Sequence, residues 1–219
     1  MDGPKNSDEL ANSTGAHPSS LYRLMRALAS IGVFAEDDRG RFRLTPIADS
    51  LRREAPDSMR AMAIMHGERH YQTWGHLLRA VKTGETAFKH TFGMGFFECL
   101  AQDSEESRTF DSAMTNRSSM TNAAVVAAYD FSDAGKVVDV GGGRGSLLTS
   151  ILKANPGSRG ILFDRPHVIE GAKRFIEEKG VLDRCELIAG DFFDLVPSGG
   201  DLYILSGTLH DWDDDRAVK

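Results

Sequence analysis

The sequence lacks the features that mark secreted, membrane-spanning or strongly basic proteins. Its two cysteines, Cys99 and Cys185, lie far apart and match no metal-binding spacing, which disfavours a disulfide framework. Its longest apolar run, residues 123–129, is far below the roughly 20 residues of a spanning helix, and its start shows no signal-peptide pattern. A formal net charge of −6 disfavours binding to nucleic acid or membranes mainly by charge. We therefore expect a reduced, cytoplasmic protein without nucleic-acid or membrane partners.

The length and the distribution of charge indicate more than one domain. The chain has 219 residues, of which 41% are hydrophobic and 26% charged, a composition typical of globular proteins. Residues 130–219 hold sixteen acidic and eleven basic residues, whereas residues 1–56 hold eight of each. At about 150 residues per domain the chain would hold roughly one and a half domains. We divide it into residues 1–56, 57–129 and 130–219.

The first region has the pattern of a winged helix-turn-helix. Ser7 is placed to cap a helix over residues 8–14, and Pro18 opens a second amphipathic helix that ends near Gly32. Two short strands, residues 33–35 and 41–44, flank a turn. This pattern can bind DNA, but the region has no net charge, which favours a packing or dimerisation module.

Residues 57–129 are predicted to be helical, with a long helix over residues 107–129. The segment His66-Gly67-Glu68-Arg69-His70 superficially resembles a zinc-binding helix. Its glutamate is one position away from the metalloprotease pattern, and Gly67 weakens a helix. No metal is expected there.

From Lys136 onward, strands alternate with helices. Strands are predicted over residues 137–140, 160–163, 185–189 and 202–205, with helices over 146–154 and 168–179 between the first three. Strands separated by helices of this length form βαβ units. An α/β fold with a parallel, Rossmann-like sheet of about four strands follows.

A glycine-rich turn follows the first of these strands. Gly141, Gly143 and Gly145 let a ligand approach the backbone, and the next helix offers free N–H groups at its start. The dinucleotide spacing would require glycine where Ser146 stands, which disfavours a nicotinamide or flavin oxidoreductase. No lysine follows the glycines as in a phosphate-binding loop. A nucleoside without phosphates fits better.

Three polar residues follow the later strands of the predicted sheet. Asp164 ends the second strand, where a carboxylate can accept both hydroxyls of a ribose, and Asp191 ends the third, where it can accept from an adenine amino group. His210 follows the fourth strand and is suited to act as a general base. The acidic residues 213–215 after it are better explained as the first turn of a helix than as a metal site.

These motifs resemble the S-adenosylmethionine-dependent small-molecule O-methyltransferases, the plant caffeate type and its bacterial relatives. Six stretches match in the family's order: Leu21-Tyr22-Arg23-Leu24-Met25-Arg26-Ala27-Leu28, Phe42-Arg43-Leu44-Thr45-Pro46, the glycine turn, Phe163-Asp164-Arg165-Pro166, Gly190-Asp191-Phe192-Phe193 and Leu209-His210-Asp211-Trp212. The resemblance implies a methyltransferase that uses S-adenosylmethionine and no metal. It also implies a homodimer, with the winged helix as part of the dimerisation domain.

The resemblance implies a role for each matching residue. His210 would take the proton of the acceptor's hydroxyl. The implied cofactor-binding residues are Gly141, Gly143, Asp164, Asp191, Phe192, Trp212 and Ser118. The implied acceptor-lining residues, for which plain helix packing is an equal alternative, are Trp74, Phe92, Phe97 and Met114.

The chain departs from the family pattern in two ways. Ser206 stands four residues before His210, where many members have lysine. Only four of the family's seven strands are predicted, so we expect a C-terminally truncated chain or an internal piece of a longer enzyme. The alternatives to an O-methyltransferase that acts on a small, aromatic or phenolic acceptor are a truncated, non-catalytic fragment and a winged-helix regulator.

Overall fold

The computed structural model describes residues 3–55 and 58–219, without the side chain of Met120. The chain divides into two compact units, residues 1–63 and residues 64–219. The predicted boundary between residues 56 and 57 lies outside the described residues. No helix in the described part of the chain is long and apolar enough to cross a membrane.

The first unit contains the predicted helix-turn-helix and hairpin. Its elements are α1 (Ser7–Thr14), α2 (Pro18–Ser30), β1 (Phe34–Glu36), β2 (Phe42–Leu44) and α3 (Pro46–Asp49), and α4 (Arg60–Met65) crosses into the second unit. The two strands pair antiparallel. The predicted cap of α1 was wrong: Asn6 caps it, because its side chain accepts from the backbone N–H of Glu9 while the Glu9 carboxylate accepts from that of Asn6.

The second unit begins with short helices and one long helix. They are α5 (Tyr71–Trp74), α6 (Leu77–Thr83), α7 (Ala87–Phe92), α8 (Phe96–Gln102) and α9 (Ser104–Ala128). Helix α9 starts three residues earlier than predicted, because the Asp103 carboxylate accepts from the backbone N–H groups of Glu105 and Glu106.

The predicted zinc-like segment forms a widened, kinked turn rather than a regular helix. Glu68 has φ −100° and ψ −111°, and the rings of His66 and His70 lie 5.2 Å apart. No three histidine, cysteine or acidic side chains among residues 3–55 and 58–219 are grouped to hold a metal ion.

A parallel four-stranded sheet organises the rest of the second unit. Its elements are β3 (Lys136–Val140), α10 (Ser146–Ala154), β4 (Arg159–Asp164), α11 (Pro166–Glu178), β5 (Cys185–Ala189), β6 (Leu202–Ile204) and a last short helix, α12 (Asp214–Ala217). The strand order is β5-β4-β3-β6, with every neighbouring pair parallel. The predicted α/β fold class is confirmed.

The core lies mainly between the sheet and helices α10 and α11. Val137 of β3, Leu148 and Ile151 of α10 and Ile176 of α11 are fully buried there. At 25 cal/mol per Å² of apolar surface, side chains of this size each contribute about 1.5–3 kcal/mol when buried. The core thus fixes the sheet, and with it the positions of the loops at its carboxyl edge.

Candidate active site

The glycine turn joins β3 to α10 at the carboxyl edge of the sheet. Gly141, Gly143 and Gly145 have φ of +69°, +59° and +80°, a region that L side chains rarely adopt. A Cβ at Gly142 would lie 2.5 Å from Leu162 Cδ1 and 2.6 Å from Asp139 Oδ2, whereas one at Gly143 would meet nothing within 4 Å. The turn is therefore packed tightly on its inner side and open on its outer side, as a ligand cradle requires.

Two carboxyl groups, the buried Asp139 and the half-buried Asp164, lie at this turn. Asp164 accepts hydrogen bonds from the backbone N–H groups of Gly143, at 2.8 Å, and Arg165, at 2.7 Å, and burial raises its pKa although these bonds oppose the shift. Asp139 is 1% exposed and neither of its carboxylate oxygens has a hydrogen-bond partner in the described chain. Burial raises the pKa of Asp139 to about 7, and the charge of Asp164 adds to this effect. Asp139 thus lies beneath the turn, while Asp164 borders its open side.

Asp191 lies beside Asp164, at the end of the neighbouring strand. Its carboxylate accepts from the backbone N–H of Phe193 at 2.9 Å and forms an ion pair with the Arg165 side chain. Arg165 follows Asp164 directly, so this ion pair joins the ends of β4 and β5. The side chain of Phe192 lies next to the turn, since a Cβ at Gly141 would be 3.7 Å from its ring.

His210 lies in a short helical turn, Leu209–Asp211, after β6. Its side chain is 64% exposed, and its Nε2 lies 3.4 Å from Asp211 Oδ1. Burial raises the pKa of Asp211, and the charges of His210 and Arg117 oppose the shift. The imidazole is therefore accessible and has a carboxylate beside it.

Aromatic contacts connect the predicted cofactor and acceptor residues. Trp212 stacks on Phe97 with ring centroids 5.8 Å apart and meets Phe192 at 6.0 Å. Phe97 also contacts Phe96 and Phe110. Helix α8 thus reaches the loop that carries His210, an approach that the sequence did not reveal.

The other predicted residues lie at different depths. Met114 and Ser118 are half-buried on α9. Phe92 packs on Phe88, with centroids 4.7 Å apart, and beneath the guanidinium of Arg69. Trp74 is 66% exposed and makes no ring contact with the aromatic residues named above in the described chain. The structure therefore brings Phe97 to the site but does not bring Trp74 into this aromatic cluster.

The sequence analysis did not single out Asp111 or Arg144, two charged residues of the second unit. Burial raises the pKa of Asp111 to about 6, with the charge of Arg144 opposing the shift and that of Asp164 adding to it. The spacing of Asp111 from Ser118, seven residues or about two turns of helix, was a signal available in the sequence.

Two family models cover most of the chain. The O-methyltransferase domain matches residues 74–219, and the O-methyltransferase dimerisation domain matches residues 1–54. The chain belongs to the O-methyltransferase family. The resemblance drawn from the sequence motifs is thereby confirmed.

Curated relatives and solved structures agree with this assignment. The chain is 50% identical over 218 residues to the phenazine O-methyltransferase PhzM of Lysobacter antibioticus, covering 100% of this chain and 64% of the relative. It is 40% identical over 226 residues to the mitomycin biosynthesis 6-O-methyltransferase of Streptomyces lavendulae, covering 100% of this chain and 63% of the relative. The crystal structure of LaPhzM superposes with a TM-score of 0.95 at 50% identity, over 99% of this chain and 65% of that one.

A further structural neighbour was crystallised with two bound small molecules. The O-methyltransferase NcsB1 from neocarzinostatin biosynthesis, in complex with S-adenosylmethionine and 2-hydroxy-5-methyl naphthoic acid, matches with a TM-score of 0.87 at 34% identity, over 98% of this chain and 66% of that one. The present chain spans a little under two thirds of the length of the curated relatives named here.

Proposed function

We propose that this protein is an S-adenosylmethionine-dependent O-methyltransferase that methylates a hydroxyl group of a small aromatic or phenolic metabolite. The observation that carries the proposal is the convergence of the glycine turn, Asp164, Asp191 and His210 on one edge of the sheet. Membership of the O-methyltransferase family supports it. The relatives' names include phenazine, hydroxybenzoate and naphthoate methyltransferases, which supports an aromatic acceptor.

The residues at the sheet edge fit a nucleoside cofactor with a cationic centre. Gly141 and Gly143 would lie beneath its methionine part, with Ser118 near the carboxylate of that part. Asp164 would hold the ribose, and Asp191 and Phe192 the adenine, with Trp212 flanking the pocket. A side chain at Gly141 would come within 3.0 Å of Thr208 Oγ1, so the cradle depends on glycine there. When bound, the cofactor supplies an activated methyl group.

The protein's own contribution would be alignment and the removal of one proton. His210 would accept the proton of the acceptor's hydroxyl, and an exposed imidazole is accessible for this role. Oδ1 of Asp211 lies 3.4 Å from Nε2, so a carboxylate stands beside the ring. The aromatic surface of Phe97, with Phe92, Met114 and Trp74 as further lining candidates, would hold a flat acceptor against the cofactor side of the site. Holding the two reactants in a fixed orientation is itself a large part of the rate gain in such transfers.

Replacing the histidine tests the catalytic role. We expect His210→Ala to lower the turnover of a hydroxylated aromatic acceptor by about 100-fold or more, because general-base catalysis contributes on that order. Calorimetric titration should show S-adenosylhomocysteine binding within about twofold of the unchanged protein, since the imidazole does not hold the cofactor.

His90→Ala is the matched control, because His90 is an exposed histidine on α7. The His90→Ala variant should keep both the turnover and the S-adenosylhomocysteine binding of the unchanged protein. Lost binding with unchanged turnover per bound enzyme would contradict the role of His210. Binding of NAD in place of S-adenosylhomocysteine would favour an oxidoreductase, and cofactor binding without any turnover would favour a non-catalytic fragment.

We further propose that the protein forms a homodimer and that residues 1–56, 57–129 and 130–219 form its dimerisation, acceptor-lining and cofactor-binding regions. The match of residues 1–54 to the dimerisation domain supports the first assignment. The contact of α8 with the His210 loop supports the second.

A further inference from the structure

Arg165 occupies a position where arginine is locally unfavourable. It stands at the N-cap of α11, directly before Pro166, and its side chain makes no capping hydrogen bond. Helix N-caps favour Ser, Thr, Asp and Asn, whose oxygens accept from the first N–H groups, whereas a guanidinium has no acceptor. A positive charge at the start of a helix also opposes the helix dipole. The reason for arginine at this position therefore lies outside α11.

Arg165 contacts both of the acids that would hold the cofactor. Its backbone N–H donates to Asp164 Oδ1 at 2.7 Å, and its guanidinium forms an ion pair with Asp191 Oδ2 across the ends of β4 and β5. The side chains of Arg165 and Asp191 are 53% and 30% exposed. An exposed ion pair adds only about 0–1 kcal/mol to stability, so folding alone gives little reason for this one.

The Asp191 carboxylate is held at both of its oxygens. Oδ1 accepts from the backbone N–H of Phe193 at 2.9 Å, and Oδ2 contacts Arg165. Gly190, directly before it, packs closely against β4, since a Cβ at Gly190 would lie 2.6 Å from Phe163 Cε2. An ionised carboxylate has about four lone-pair sites, so two contacts leave it able to accept from a further donor. Asp191 is therefore oriented and still available to a ligand.

Arg165 also offsets the negative charge at this edge of the sheet. Asp164 pairs in register with Ala189, two residues before Asp191, so the two acids end neighbouring strands. Burial raises the pKa of Asp164, and the backbone N–H and the charge of Arg165 are among the effects that oppose the shift. A cation that follows Asp164 directly and contacts Asp191 helps both acids to stay ionised as hydrogen-bond acceptors.

We propose that Arg165 is a cofactor-positioning residue that acts through Asp191 and thereby determines the preference for adenine. This role rests on the proposed function, in which Asp164 would hold the ribose and Asp191 would accept from the adenine amino group. Without the guanidinium, the Asp191 carboxylate loses one of its two contacts and is free to rotate. The ribose acid keeps its orientation, because Asp164 is held by the backbone N–H groups of Gly143 and Arg165, which a side-chain substitution leaves in place.

The first test measures whether Arg165 contributes to recognition of the adenine amino group. Calorimetry on the full 219-residue chain gives dissociation constants for S-adenosylhomocysteine and for its 6-deamino analogue, in which hydrogen replaces that amino group. We expect Arg165→Met to weaken S-adenosylhomocysteine binding by about tenfold, equivalent to about 1.4 kcal/mol, and binding of the analogue by less than about twofold. Arg165→Lys, which keeps the charge, should restore part of the preference. Arg174→Met is the matched control and should change neither constant, because Arg174 is an exposed arginine of α11 that pairs with Glu178.

A double variant tests whether Arg165 acts through Asp191. In an Asp191→Asn background, Arg165→Met should weaken S-adenosylhomocysteine binding by less than about twofold, because the carboxylate that the arginine positions is already absent. A loss of about tenfold in both backgrounds would show two independent contributions and would overturn the proposed role.

The remaining outcomes separate the role of Arg165 from the proposed function. Equal weakening of both ligands by Arg165→Met, or no change in either, overturns the role of Arg165 alone. Failure of the unchanged chain to bind either ligand overturns the proposed function together with this role. Thermal unfolding of Arg165→Met within about 4 °C of the unchanged chain shows that an altered preference is not a folding defect, as the small stability of an exposed ion pair leads us to expect.

Discussion

Asp139, the buried residue beneath the glycine turn, makes the stability of the folded chain depend on pH. Its carboxyl group is fully buried beneath Gly142, and burial raises its pKa to about 7. A free aspartate has a pKa near about 4, so between these values the folded chain keeps a proton that the unfolded chain releases. This contribution to stability is complete below about pH 4 and is lost as the pH rises through about 7.

We therefore expect Asp139→Asn to remove part of the pH dependence of stability. From pH 5 to pH 8, the free energy of unfolding of the unchanged chain should fall by about 2–4 kcal/mol relative to that of the variant. Urea unfolding at the two pH values measures this difference, with Asp133→Asn, at an exposed position, as the control. Parallel pH profiles for the unchanged chain and Asp139→Asn would contradict the assignment.

At the scale of the secondary-structure elements, Arg69 joins three helices of the second unit. Its guanidinium lies 3.0 Å from Asp103 Oδ2 and 2.8 Å from Glu106 Oε2, and it sits over the Phe92 ring at 5.2 Å from the centroid. The same group contacts Cys99 of α8. Burial raises the pKa of Glu106, and the charge of Arg69 opposes this effect. The arginine thus holds α7, α8 and the start of α9 together.

Removing this side chain should destabilise the helices that carry the acceptor-lining residues. We expect Arg69→Met to lower the free energy of unfolding by about 1–3 kcal/mol, because Glu106 then stays partly buried without its cation. Arg79→Met is the comparison, since the Arg79–Glu85 pair is exposed on both sides and should cost less than about 1 kcal/mol. Equal losses for the two variants in urea unfolding would show that Arg69 has no special structural role.

At the scale of the whole molecule, the absence of net charge in residues 1–56 and the match of residues 1–54 to the dimerisation domain both concern what the chain binds, DNA or a second copy of itself. Eight acidic and eight basic residues in residues 1–56 leave no net charge to hold DNA. We expect the chain to sediment at twice the 24.0 kDa of one copy and to give no salt-sensitive gel shift with duplex DNA. A monomer at micromolar concentration would contradict the homodimer, and a gel shift that weakens with salt would support the winged-helix regulator instead.

Much of the fold could be predicted from features that are local in the sequence. Gly141, Gly143 and Gly145 mark a turn because only glycine adopts their backbone angles without strain. Asp164, Asp191 and His210 follow strands, and parallel strands place their carboxyl ends at one edge of a sheet. The fold class and the edge that carries the candidate site could therefore be predicted. The predicted start of α9, taken from periodicity, was three residues too late, because Asp103 caps the helix before that point.

Only the tertiary structure decided which distant residues meet at that edge. The ion pair of Arg165 with Asp191 and the stacking of Phe97 on Trp212 join residues that are 26 and 115 positions apart. Helical periodicity places Asp111 on a face of α9, but it does not reveal what that face packs against. Burial likewise depends on the assembled layers, and burial raises the pKa of Asp139 to about 7. The sequence alone thus determined the elements and the carboxyl edge of the sheet, while packing decided the charges and contacts at that edge.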